Sequence, residues 1–358
     1  MLNKTNLHLL GGQLDEIAET PYFSAHLNEY LNQLRKVVHC TLEQYSSLPT
    51  DVLSTLTNEI GSITKFLAGS TSKRIPYEIV YSLRLGLNNW INKDAIITTA
   101  ISPDFRSGFY FQGVNQQFNI LAKSYLNIDF NNELVQISLP QLYRHRPLYN
   151  IPLFHELGHF LDIHHQITSF TLMLDQNASL PNVDPKQFNP AILRVIQTNY
   201  RMEYFADIYA ASYIGKAYHH FLESFAPNHP ACMTHPATTD RLALINKFLN
   251  KETDALIDLF NKAIKGLNLP ELKINFVEPN LADCFNNFRP YPLVSDAEVH
   301  GIFSAAWMYL EKILAKPEGA WELLSEDKIE KIINNLVEKS IRNRMVVERW
   351  NNGSNNTK

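Results

Sequence analysis

Cysteine is scarce in this chain of 358 residues. Cys40, Cys232 and Cys284 are widely spaced and odd in number. They form no paired motif and no disulfide framework, which points to a reducing compartment. Each is read as a small buried hydrophobe. Charge is scarce too. Only 19% of residues are charged, with a net charge of −4 and a pI near 6.4. There is no basic field for nucleic acid and no acidic tail. Long apolar runs are missing, and no stretch approaches the roughly 18 residues that would span a bilayer. Residues 1–10 carry one lysine and a very short apolar run, so they do not read as a secretory signal. The expectation is a soluble, cytoplasmic protein with no membrane span and no nucleic-acid partner. No internal repeat is visible. The Asn-rich end, 351–358, is expected to be disordered.

Apolar residues make up 45% of the chain, enough for a real core in one large domain or two modest ones. Residues 1–20 look polar and weakly patterned. Helical spacing follows at 24–45 (Leu27, Tyr30, Leu31, Leu34, Val37, Val38, Leu42), 49–68 and 77–91. His26 and His39 on these helices are read as packing residues. β-Branched or alternating runs at 95–101, 108–113 and 134–139 predict three strands. A sheet edge there is expected to pair with an extended substrate backbone. A short helix signal at 141–143 with basic residues behind it (Arg144, His145, Arg146), a loop at 177–190 and a single helix from Pro190 to about Ser224 come next. Beyond a Pro-rich break the chain is mostly amphipathic helix, at 256–266, 296–315 and 326–347. The fold class is therefore α+β, mainly helical. Its expected divisions are a helical region 1–93, a core 94–250, a helical region 251–350 and the tail.

Chemistry concentrates in His155-Glu156-Leu157-Gly158-His159. Residues four apart lie on one face of a helix, so both imidazoles can reach a single ion. Glu156, one step round, reaches a water on that ion but is poorly placed to ligate it. This is the two-His-plus-base arrangement of zinc peptidases. Asn150 is the expected cap of the helix, and Pro152 suits its first turn. Gly158 costs a helix interior about 1 kcal/mol relative to alanine, which is tolerable where another backbone must come close.

A catalytic zinc takes three protein ligands. Two residues compete for the third place. Glu203 lies on a helix with Asp207 four residues on, bracketed by Tyr204, Phe205, Ile208 and Tyr209 rather than by polar neighbours. Ala206, Ala210 and Ala211 would let that helix pack close to the histidines, and Asp207 would accept the free N–H of a ligating His. His165 offers the alternative, because His155, His159 and His165 have the metzincin spacing. That pattern has a glycine where this chain has Asp162, and needs a methionine turn (Met173, Met202 or Met233). His164 and His165 are otherwise read as surface residues.

With Glu203 as ligand the chain resembles a gluzincin peptidase, and most of all the catalytic core of the HtpX and CAAX-prenyl-protease type. HELGH at 155–159, E-x-x-x-D at 203–207 and His235-Pro236 followed by Arg241 carry the likeness, in the family's order. The likeness spans about residues 134–250 and neither flank. It implies that His155, His159 and Glu203 bind zinc, with Glu156 as general base and Asp207 supporting a ligand. It also implies that His235 helps stabilise the oxyanion or holds Asp207, and that Arg241 braces it. The alternative reading of His235-Pro236 is a plain helix start. Tyr200 and Tyr204 are further oxyanion-donor candidates.

The expected function is a zinc-dependent peptidase acting on a peptide or protein substrate. One variant is a regulatory protease that cuts a single cellular partner. The alternative from another class is a non-catalytic interaction module, built on the helical flanks, with a structural or regulatory zinc site.

Overall fold

The computed structural model describes residues 2–20, 25–70, 77–91, 95–102, 109–130, 132–175 and 189–355. The protein is mainly helical with one small sheet. No helix among the described residues is long and apolar enough to cross a membrane. The chain divides into two compact units, residues 1–80 with 91–141, and residues 81–90 with 142–358.

The first unit opens with helix α1 (Leu2–Ala18), where weak patterning predicted no element. Leu7 and Leu14 are fully buried and Leu10 and Ile17 partly so. These four fall on one stripe at helical spacing, diluted by polar residues on the other face. Helices α2 (Ala25–Glu43) and α3 (Thr50–Gly69) close to the predicted spans join it, and α4 (Tyr77–Asn88) begins here. Strands β1 (Ala95–Ser102), β2 (Tyr110–Gly113) and β3 (Glu133–Pro140) form a sheet in the order β1-β3-β2. The central strand β3 runs parallel to β1 and antiparallel to β2. From Leu134 to Leu139 every residue of β3 is buried, so both its faces are covered. Helix α5 (Gln116–Leu126) was not legible in the sequence. Asn115 caps it by accepting from the Gln117 amide at 3.0 Å, and Asn127 in the left-handed region ends it. The sheet supplies none of the candidate site residues.

The second unit carries the chemistry. Helix α6 (Pro152–His165) presents the HELGH segment. Asn150 is not its side-chain cap; Ile151 holds the cap position, and the Asn150 amide donates to the Tyr143 carbonyl at 2.8 Å. Asp162 stays helical, and Gln166 takes the left-handed turn instead. Helix α7 (Ile167–Leu174) starts at once, with the Asp162 carboxylate accepting from the Thr168 amide at 2.6 Å and from its hydroxyl at 2.7 Å. The expected loop at 177–190 lies outside the described residues except for its last two.

The helix predicted from Pro190 to Ser224 is two helices. Helix α8 (Pro190–Ile214) ends at Gly215, whose positive φ of 55° glycine accommodates, and α9 (Lys216–Phe225) follows. Then follow α10 (Thr238–Leu249), α11 (Ala255–Gly266), the single turn α12 (Ala282–Phe285), α13 (Asp296–Ala315) and α14 (Glu326–Asn355). Helix α14 runs into the segment expected to be a disordered tail, and only residues 356–358 fall outside the description.

Helix α13 packs on α8 and α9 inside this unit. The ring of Phe154 on α6 meets Tyr213 at 6.3 Å and both His300 and Phe303 of α13 at 5.9 Å. The grouping thus differs from divisions at 94 and 250. The C-terminal helices belong with the HELGH helix, and the three strands do not.

Candidate metal centre

Helices α6 and α8 pack against each other in the second unit. Gly158 allows it, since a methyl group there would sit 2.7 Å from Ala206 Cα. The close approach carries Glu203 to the two imidazoles. Its carboxylate lies 3.4 Å from His155 Nε2 through Oε2 and 3.3 Å from His159 Nε2 through Oε1. The two rings stand nearly perpendicular, 4.5 Å between centroids. One ligand atom from each of His155, His159 and Glu203 fits in a cluster within 4.8 Å.

These donors suit a divalent cation such as zinc. Bonds of about 2.0–2.1 Å at tetrahedral angles put neighbouring ligand atoms roughly 3.3 Å apart, which matches the separations from Glu203 to each nitrogen. Glu203 is buried, and its Oε2 meets His155 Nε2 at 3.4 Å and Arg241 Nη2 at 3.2 Å. Two imidazoles and a carboxylate are a zinc donor set.

His165 does not join this cluster. Its Nε2 lies 3.1 Å from the Trp90 carbonyl, and its ring is half-buried rather than a surface group. His164 is exposed as expected. Of the residues proposed for a methionine turn, Met173 and Met233 are exposed.

Asp207 Oδ1 lies 3.0 Å from His155 Nδ1, so Nε2 is the His155 nitrogen that faces Glu203. Asp207 is fully buried and needs compensation. Arg241 of α10 supplies it with two donors, Nε to Oδ2 at 2.7 Å and Nη2 to Oδ1 at 2.6 Å. Arg241 therefore holds Asp207 rather than bracing His235, and also lies 3.2 Å from Glu203 Oε2.

Tyr218 of α9 completes the cluster. Its hydroxyl donates to Asp207 Oδ1 at 2.8 Å and sits 2.9 Å from His155 Nδ1. No sequence signal marked it. His159 has no such support, and its Nδ1 is buried without a partner among the described residues.

His235 comes to the rim of the site, half exposed, with Nε2 3.4 Å from Glu203 Oε1 and Nδ1 2.8 Å from the Thr234 hydroxyl. Its contacts are with Glu203 and Thr234 rather than with Asp207. Nor does His235-Pro236 start a helix, because α10 is capped at Ala237. Tyr200 is occupied, donating to the Cys232 carbonyl at 2.9 Å, while the buried Tyr204 hydroxyl finds no partner among the described residues. Cys232 itself is exposed, and Cys40 and Cys284 are half-buried, so none is the buried hydrophobe expected.

The charges fit together. Burial alone would disfavour a charged His155, but hydrogen bonds to Asp207 and Glu203 outweigh it and push its pKa up to about 9. Burial would raise Glu203, yet its bonds to the two histidines hold it well below the usual carboxylate range. Burial likewise opposes ionised Asp207, and the Arg241 guanidinium overrides it, bringing the carboxyl down to about 2. Glu156 behaves differently. Burial raises its pKa, and no hydrogen bond or ion pair among the described residues ties it down. A carboxylate with a raised pKa and a free head is suited to take and return a proton.

Against the known family models, curated proteins and solved structures, the chain matches none.

Proposed function

We propose that the protein is a zinc-dependent peptidase of the gluzincin type, with a catalytic core like that of the HtpX and CAAX-prenyl-protease group. What supports this most is the meeting of Glu203 with His155 and His159 at 3.4 and 3.3 Å, across 44 residues of chain, beside an untethered Glu156. His155 Nε2, His159 Nε2 and the Glu203 carboxylate would hold the ion. When bound, it polarises the scissile carbonyl and brings the pKa of water to about 7.

The chain's own residues do the rest. Asp207, fixed by Arg241 and Tyr218, holds His155 in the tautomer that turns Nε2 to the ion. Glu156 takes a proton from the attacking water at its carboxylate and hands it to the leaving amine nitrogen. His235 Nε2, on the open rim, is the group available to meet charge developing on the carbonyl oxygen. The substrate is a peptide or protein, and the three free cysteines suit an intracellular setting.

The test is Glu156→Gln. The variant should bind zinc as the wild type does and lose peptide hydrolysis by about 10²–10⁴-fold. Hydrolysis at the wild-type rate would show that Glu156 is not the base. If neither chain hydrolyses peptides but stripping zinc unfolds the protein, the structural-zinc reading takes its place.

A further inference from the structure

We infer that helix α9 carries a second divalent-cation site, made by His219, His220 and Glu223, for a borderline metal such as Zn²⁺. One ligand atom from each of the three lies in a cluster within 4.8 Å. Glu223 is four residues from His219 and three from His220. It is therefore the one carboxylate on this helix that faces both imidazoles. His219 Nδ1 stands 4.0 Å from Glu223 Oε2, too long for a hydrogen bond and within a small side-chain rotation of the spacing of two ligands on one ion.

Groups on two other helices brace the imidazoles from outside. The Asn246 side-chain amide of α10 meets His219 Nε2 through Nδ2 at 3.1 Å. A half-turn of that amide brings Oδ1 to the same nitrogen, where it would accept the Nε2 proton and leave Nδ1 free for metal. Glu311 of α13 lies 3.4 Å from His220 Nδ1 and is itself held by the Trp307 indole N–H at 3.0 Å. A carboxylate behind one ring nitrogen is the support that metal-ligating histidines have. The rings are mostly covered while the Glu223 side chain is 62% exposed, so the site opens to solvent on the carboxylate side. Imidazole donors favour zinc, copper or nickel over calcium or magnesium. The site is separate from the His155 centre and does not rest on the peptidase reading. Its first ligand follows Tyr218, which holds His155 and Asp207.

The experiment is zinc titration of the metal-free full chain and of His219→Ala/His220→Ala, with circular dichroism to confirm the fold. The double variant should bind one equivalent fewer than the wild type. Two equivalents falling to one leaves both centres standing. One falling to none keeps the α9 site and removes the His155 centre. Equal stoichiometry in the two chains overturns the proposal. Should the double variant unfold, Glu223→Ala, on an exposed side chain, gives the same reading. It should weaken one equivalent by about tenfold or more, and an unchanged isotherm overturns the proposal.

Discussion

His300 shows how a single side chain sets a pH limit. It is buried on α13, its Nδ1 has no partner among the described residues, and its ring lies 4.8 Å from that of Tyr213. Burial brings its pKa down from 6.5 to about 3. The folded value is below the unfolded one, so the unfolded chain takes the proton first. Stability is full above pH 6.5 and drains away as pH falls towards 3, at about 1.4 kcal/mol per pH unit. Between pH 7.5 and pH 5 the wild type should therefore lose about 2 kcal/mol more than His300→Leu in urea unfolding. Equal losses would mean that His300 is protonated in the folded protein. Nothing in the sequence around Glu298-Val299-His300 distinguishes this histidine from a surface one. Its surroundings come from Phe154 and Tyr213, far away in the chain.

Among the helices, the contact of α6 with α8 decides which residues meet at the candidate metal centre. Each segment was legible alone, because four-residue spacing on a helix fixes which side chains share a face. His155 with His159, and Glu203 with Asp207, follow from that rule. Gly158 and Ala206 marked the surfaces able to approach. Their packing shows up as the 2.7 Å that a Gly158 methyl would leave to Ala206 Cα. Gly158→Ala gains about 1 kcal/mol of helix propensity. It should lose about 1–3 kcal/mol to overpacking, for a small net destabilisation in urea melts. The telling measurement is zinc affinity, expected to fall on the order of tenfold as Glu203 is levered off the histidines. Affinity unchanged would show that the ligands do not depend on this contact. Tyr218 and the Arg241–Asp207 pair show the opposite case. Arg241 has a sequence marker only through a family likeness, and Tyr218 has none. Both are fixed by how α9 and α10 lie against α8.

The whole molecule groups its parts by packing rather than by order along the chain. Helix α13 packs on α8 and α9, and α14 on α13, in the unit that holds the candidate metal centre, and the strands fall in the other unit. A chain ending at Asn250 would uncover Phe154 and Tyr213, which face His300 and Phe303 in the full protein. It should lose the cooperative unfolding of the unit that carries the HELGH helix and bind zinc poorly, whereas the metal-loaded full chain keeps both. Sharp unfolding and full zinc binding by the short chain would restore 94–250 as a self-standing core.

The sequence by itself determined the helical faces, the strands and the two halves of a metal-ligand set. Those depend on period and local propensity, which are written within about a dozen residues. Only the tertiary structure decided that Glu203 rather than His165 faces the two histidines, that Arg241 and Tyr218 converge on Asp207, and which helices share a core. Those outcomes depend on which apolar faces bury one another. That choice is made by the summed burial of residues far apart in the chain, and no local window contains it.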